Sequence, residues 1–318
     1  MRVIDTVDEM KKNARLFLRH GKTIGFVPTM GFLHEGHMSL VRAARKENDI
    51  VVVSIFVNPT QFGPNEDYSK YPRDFERDKS LLEKEKVDIL FHPSVEEMYD
   101  SSEYWEFLKE SQREKRLILN DFMQLEKIQY AKIMPLQKIK VEVPKELANI
   151  LCGKYRPAHF QGVAKVVTKL FHIIQPDCAY FGQKDFQQAI IVDRLINDLN
   201  FSIKLRIMPT VRESDGLAMS SRNIFLTKKQ RKDAAILYKA LIFAKNLFDN
   251  GERNSRIIER KVKNLISQNR DVQLQYTEIR DFLALKRIEN IEKNAIIVLA
   301  ANVGKTRLID NIYLTEYK

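Results

Sequence analysis

The chain has 318 residues, 44% of them hydrophobic and 30% charged, and 53 basic against 42 acidic side chains leave it at +11. That length suggests about two domains and lets the chain bury roughly three quarters of its unfolded surface, which excludes a small scaffold dependent on disulfides or metals. With 11 Gly, 10 Pro, two cysteines outside any C-x-x-C pair and no apolar run near ~20 residues, disordered, collagen-like, disulfide-framed and membrane-spanning classes are set aside as well.

The opening segment, Met1 to Glu9, interrupts its few apolar residues with acids, unlike a secretory signal, so a cytoplasmic location is expected. Residues 23–27 read as a buried strand, followed by the turn Pro28-Thr29-Met30-Gly31 and a helix over about 36–46. Residues 50–56 form a nearly continuous β-branched run, as expected of a strand covered on both faces. A polar loop over 58–72 leads to a helix over about 73–85 and a strand at 88–91. Residues 163–174, 177–181, 186–199 and 202–208 then read as helix, strand, helix and strand. This alternation predicts a Rossmann-like α/β fold, a doubly wound parallel sheet, with ligands at the carboxyl ends of its strands. The turns after Val27, Phe56 and Phe181 are therefore the places to look for chemistry.

The stretch 101–137 fits the alternation poorly and reads as a helical insertion on the sheet. From residue 227, helices over about 228–248 and 255–267 precede strands near 273–279, 295–301 and 306–314. They make up a smaller C-terminal α+β domain. The expected division is 1–209 for the nucleotide-binding domain and 210–318 for the second. Residues 227–318 carry 19 basic and 11 acidic side chains, so +8 of the +11 lies there. With no uninterrupted block of five like charges, this reads as a solvated basic face, and no nucleic-acid partner is expected.

His34-Glu35-Gly36-His37 falls at the turn after the first central strand, which puts both imidazoles on one face of a helix N-terminus. Free N–H groups there suit a phosphate, and imidazole donors can strengthen as charge develops. Taken alone the pair is ordinary, and the spacing of an H-E-x-x-H zinc site is absent. Met219-Ser220-Ser221-Arg222-Asn223 lies in a later loop, where two hydroxyls beside a guanidinium can donate to phosphate oxygens. A His-x-Gly-His turn combined with a Met-Ser-Ser-Arg loop is the double signature of the nucleotidyltransferase superfamily that includes class I aminoacyl-tRNA synthetases.

Further blocks narrow the likeness. Phe26 to Gly31, Val53 to Phe62, Tyr71-Pro72-Arg73, Arg156 to Val163, Phe181 to Gln188 and Val303 to Asn311 together resemble the pantothenate synthetase, or pantoate–β-alanine ligase, family over nearly the whole chain. The resemblance implies ATP-dependent condensation of pantoate with β-alanine through pantoyl adenylate, releasing AMP and pyrophosphate, with ATP as substrate, Mg2+, and a homodimeric assembly. It implies that His34, His37, Lys184, Ser220, Ser221 and Arg222 handle the triphosphate. Met30, Gly182, Asp185, Val211 and Met219 match positions that hold the rest of ATP, and Gln61 and Gln188 match the pantoate-holding glutamines. Asn58, Tyr71, Arg156 and His159 are expected to line the pocket or its β-alanine entrance. Arg77 stands where the family tends to place a second acid, which leaves Asp78 as the candidate Mg2+ ligand. The C-terminal domain is expected to act as a lid that keeps water from the adenylate.

Overall fold

The computed structural model describes residues 1–64, 66–99 and 140–316; the insertion expected over 101–137 lies outside them. Six parallel strands, β1 (Arg2–Ile4), β2 (Ile24–Thr29), β3 (Ile50–Ile55), β4 (Ile89–Phe91), β5 (Cys178–Gly182) and β6 (Lys204–Met208), form one sheet in the order β1-β4-β3-β2-β5-β6. Side chains alternate across a strand, and both faces here are apolar. Phe26, Val52, Ile89, Phe91, Ala179 and Phe181 face one core, while Val27, Val51, Val53, Leu90 and Tyr180 face the other. Helices α1 (Val7–Arg19), α4 (His159–Ile174) and α5 (Phe186–Asp198) supply the first core, and α2 (Glu35–Glu47) and α3 (Phe75–Lys84) the second.

The sequence signals placed the central elements within a few residues. Neither β1 nor α1 is among the elements expected from the sequence; β1 is a three-residue edge strand defined only by its pairing to β4. Helix α1 did carry a signal, with Val7, Met10, Ala14 and Phe17 at helical spacing behind the capping Thr6, and only Met10 and Ala14 are fully buried.

The second sheet is antiparallel, β7 (Val272–Asp281), β8 (Ala295–Val303) and β9 (Thr306–Tyr313), packed with α6 (Lys228–Ala234), α7 (Ile236–Asp249) and α8 (Ser255–Ser267). The single helix expected over 228–248 is broken at Ala235, with no Gly or Pro to announce it. Strand β8 is buried on both faces. Ile297, Leu299 and Ala301 point to the helices, and Ile296 and Val298 join Phe186 and Ile190 of α5 in a cluster that seats the small sheet against the large one. Among the described residues no helix is long and apolar enough to cross a membrane.

The strand order reverses between β2 and β5, and a crevice opens beyond their carboxyl ends. One wall is set by a close approach between the start of α4 and the turn Pro59–Gln61 that follows β3. A Cβ on Gly162 would meet the backbone of Thr60 and come within 2.6 Å of the Gln61 nitrogen. Gly162→Ala is therefore expected to lose on the order of 1–3 kcal/mol of stability through forced backbone movement. It should also weaken substrate binding by displacing Gln61; an unchanged urea midpoint and unchanged KM values would contradict this.

Candidate active site

The first wall begins where β2 ends. Gly31 has φ +82° and Phe32 φ +49°, a left-handed pair that turns the chain sharply into α2. A buried carboxylate holds this turn. Asp78, 1% exposed on α3, accepts from the backbone N–H of Phe32 at 2.6 Å and of Leu33 at 2.8 Å. Its neighbour Arg77 donates to the Leu33 carbonyl at 2.9 Å and lies over the Phe32 ring at 5.1 Å.

The turn delivers His34 as the N-cap of α2. Its Nδ1 accepts from Gly36 N–H at 3.1 Å, and His37 Nδ1 accepts from His34 N–H at 3.3 Å. Gly36 is required, since a Cβ would stand 2.9 Å from His34 Nδ1 and Cε1. With both Nδ1 atoms accepting, each ring proton sits on Nε2, free to donate. Burial, followed by the nearby Lys184 charge, lowers the His34 pKa to about 4. His37 is held well below the ordinary histidine value by burial, by His34 and by Lys184. The two rings, 4.1 Å apart, are thus neutral donors at neutral pH.

The facing wall is the Met219–Arg222 loop. Ser220 Oγ accepts from Arg222 N–H at 3.3 Å, and Ser221 Oγ donates to the Phe32 carbonyl at 3.1 Å, so the two signature loops touch. Arg222 makes a fork-on-fork pair with Asp67, Nε to Oδ2 at 2.7 Å and Nη2 to Oδ1 at 2.9 Å, above the Tyr71 ring at 5.4 Å. The turn after β5 closes the third side with Gly182, Lys184 and Asp185. Asn311 of β9 braces it by donating Nδ2 to the carbonyls of Gln183 and Lys184, each at 3.0 Å. Buried Asp310 beside it takes both Nη atoms of Arg212, at 2.6 and 3.0 Å.

Gln61 and Asn58 form the deep end. Asn58 accepts from Tyr99 Oη at 2.7 Å and donates to Gln61 Oε1 at 3.1 Å, which leaves Gln61 Nε2 on the Met30 sulfur at 3.0 Å. A thioether is a weak acceptor, so that amide is available to a better one. Val163, Val166 and Leu170 of α4 add an apolar wall.

Fifteen of the eighteen residues singled out in the sequence line this one cleft of about 210 Å³: Met30, His34, His37, Asn58, Gln61, Tyr71, Gly182, Lys184, Asp185, Gln188, Val211, Met219, Ser220, Ser221 and Arg222. Arg156 and His159 stand just outside it, lining an adjoining cavity. Arg156 pairs with Glu66 and donates Nη1 to His159 Nε2 at 3.0 Å, so His159 donates Nδ1–H to the Gln61 carbonyl at 2.8 Å. Burial, then Arg156, lowers the His159 pKa to about 3. These two brace Gln61 from behind.

Asp78 requires a correction. It does not line the cleft, both its oxygens are committed to amides, and Arg77 Nη1 lies 3.3 Å from Oδ1, so this donor set does not fit a cation. Among the described residues no group of three or more His, Cys, Asp or Glu could hold a metal ion. Glu66 and Asp67, which pair with the two arginines, were not singled out in the sequence. They sit in a polar loop, 90 and 155 residues from their partners, and no spacing rule reaches that far.

Comparison with known proteins gives one answer. A sequence model of the family described as pantoate-beta-alanine ligase matches residues 2–313. The pantothenate synthetase of Thermotoga neapolitana is 51% identical over 314 residues, 99% of this chain and all of that protein. The crystal structure of pantothenate synthetase from Thermus thermophilus aligns at TM-score 0.84 and 37% identity, over 99% of this chain and all of that one. The pantoate-beta-alanine ligase of Francisella tularensis, solved with beta-gamma ATP and β-alanine, aligns at TM-score 0.72 and 33% identity, over 99% and 98%.

Two outcomes are expected. An unfolded chain protonates its histidines below about 6.5 while folded His34 and His159 stay neutral down to about 4 and 3. The unfolded state then binds more protons, and stability falls as pH drops from 6.5 toward 4. His34→Gln should flatten that slope in urea titrations; a slope equal to wild type would show that the ring is not buried neutral. Asp78→Asn sets an NH2 against two N–H donors and is expected to lose about 1–3 kcal/mol. Its half-saturating Mg2+ concentration should stay unchanged, whereas a severalfold rise would restore Asp78 as a metal ligand.

Proposed function

The chain belongs to the pantoate–β-alanine ligase family, and on that premise we propose that it makes pantothenate by adenylylating pantoate. The pantoate carboxylate attacks the α-phosphorus of ATP and pyrophosphate leaves. The amine of β-alanine then attacks the acyl carbon, AMP leaves with the electron pair of the broken C–O bond, and the amine proton passes to solvent or phosphate. The observation that carries this reading is the single cleft at the strand-order reversal, where two neutral imidazoles on a helix N-terminus face Lys184 and Arg222.

On this reading His34 and His37 donate Nε2–H to triphosphate oxygens, and Lys184, Ser220, Ser221 and Arg222 close on the same group from the other loops. Their task is to gain strength as charge builds on the transferring and leaving phosphates. The backbone N–H of Met30 sits in the turn under both substrates. Gly182 admits adenosine closely, Asp185 takes the ribose hydroxyls, and Val211 and Met219 flank the base. Gln61 and Gln188 hold pantoate's carboxylate and hydroxyls, with Asn58 orienting Gln61, and the apolar wall of α4 suits its dimethyl carbon. Tyr71 supports Arg222, and Arg156 and His159 support Gln61.

Nothing in the cleft favours a covalent acyl-enzyme. The Ser220 and Ser221 hydroxyls are engaged with backbone, and among the described residues neither is bonded to an imidazole. Mg2+ accompanies ATP as its counterion. A cytoplasmic homodimer acting on small molecules, without nucleic acid, completes the reading on the strength of the family resemblance.

ATP–pyrophosphate exchange should require pantoate and proceed without β-alanine, and 18O from the pantoate carboxylate should appear in AMP. His34→Ala and Arg222→Ala should each lower exchange by on the order of 10²- to 10³-fold. Release of ADP and phosphate in place of AMP would overturn the adenylate.

A further inference from the structure

The cavity that adjoins the cleft has a volume of about 40 Å³, room for a small polar group and not for a whole substrate. It shares Lys184, Asp185 and Gln188 with the cleft, so one of its walls is a residue assigned above to pantoate. Three Lys or Arg side chains line it, and two are already compensated: Arg156 pairs with Glu66, and Lys184 lies 3.6 Å from Asp185. The Asp310 carboxylate is likewise taken by Arg212 at 2.6 Å, and His159 is neutral. Arg307 is the exception. It is half-buried, and among the described residues no carboxylate stands within ion-pair distance of it.

The fold holds this guanidinium in place with neutral groups. Arg307 lies on β9, between β7 and the short helix Cys152–Tyr155. Its Nε donates to Gln275 Oε1 at 2.9 Å and its Nη2 to the Cys152 sulfur at 3.4 Å, while Tyr276 Oη sits 3.1 Å from that sulfur. Adjacent residues of a regular strand point to opposite faces. The register of β7 on β8 shifts between Leu274 and Tyr276, and this bulge lets Gln275 and Tyr276 serve one cluster. Both acceptors are uncharged and a thiol is a weak one, so the charge of Arg307 is left uncompensated. Charges withdrawn from water are ordinarily paired, which makes the missing partner an anion that a ligand brings.

We propose that Arg307 anchors the carboxylate of β-alanine. The inference rests on the ligase reading, in which that molecule carries its nucleophilic amine and its carboxylate at opposite ends of a two-carbon spacer. With the carboxylate on Arg307, the amine reaches past Gln188 to the acyl carbon of the adenylate. A planar fork on a carboxylate fixes the direction of the spacer and selects against amines that lack the acid. Arg307 also borders a larger cavity of about 880 Å³ that opens to solvent, so β-alanine can arrive while the adenylate fills the cleft.

The two half-reactions separate this contact from the rest of the site. In the full ligation, Arg307→Gln should raise KM for β-alanine by on the order of 10- to 100-fold and Arg307→Lys by less, with KM for ATP and pantoate within about twofold of wild type. Pantoate-dependent ATP–pyrophosphate exchange, which needs no β-alanine, should also stay within about twofold in both variants and so report that they fold. Propylamine, which lacks the carboxylate, should consume the adenylate equally well in wild type and Arg307→Gln. An unchanged KM for β-alanine, a rise in KM for ATP in its place, an equal loss with propylamine, or loss of exchange in both variants would overturn the anchor. Absence of exchange in the wild type would overturn the adenylate, and an Arg307-dependent KM for β-alanine would then still support the anchor.

Discussion

The bond set of one buried carboxylate organises the cleft. Asp78 receives two adjacent backbone N–H groups, at Phe32 and Leu33, and so holds a non-glycine residue at positive φ where the chain leaves β2. Such a conformation costs on the order of 1–3 kcal/mol and persists only when its surroundings over-determine it. Here Arg77 on the Leu33 carbonyl and Ser221 on the Phe32 carbonyl complete that determination. Because the same turn supplies the N-cap of α2, the direction of both imidazoles and the contact between the two signature loops depend on it.

Electrostatics and hydrogen bonding agree in the state they impose on the histidines. The reciprocal cap requires an acceptor at each Nδ1, and burial beside Lys184 disfavours a second ring proton. The rings are therefore donors of fixed direction, and the positive charge of the cleft is left to Lys184 and Arg222. Arg222 is aligned in turn by Asp67 and by the Tyr71 ring, so its guanidinium is held in one orientation by protein groups alone.

The small sheet contributes through β9. Arg212 on Asp310 and Asn311 on the Gln183 and Lys184 carbonyls tie it to the turn after β5, while Phe186, Ile190, Ile296 and Val298 exclude water beside that joint. Lys184 is thereby placed by backbone that another sheet holds, and the Ser221–Phe32 bond spans the cleft from the opposite side. Any lid motion of the C-terminal part would have to exchange these polar bonds for water or for substrate.

Periodicity was enough to determine the doubly wound sheet and the turns that open onto the cleft, and the likeness of short blocks to the family supplied most of the cleft lining. Those features are local: alternating apolar residues decide which face a strand buries, and His34-Glu35-Gly36-His37 lies within a single helical turn. Only the folded chain decided that Asp78 holds backbone in place of a metal, that Arg222 pairs with Asp67 across 155 positions, and that His159 braces Gln61 from behind. It also decided the charge of His34, for an imidazole's pKa follows the solvent it loses and the cations it meets. Those quantities depend on distances between remote segments, which a linear order of residues does not contain until the chain closes on itself.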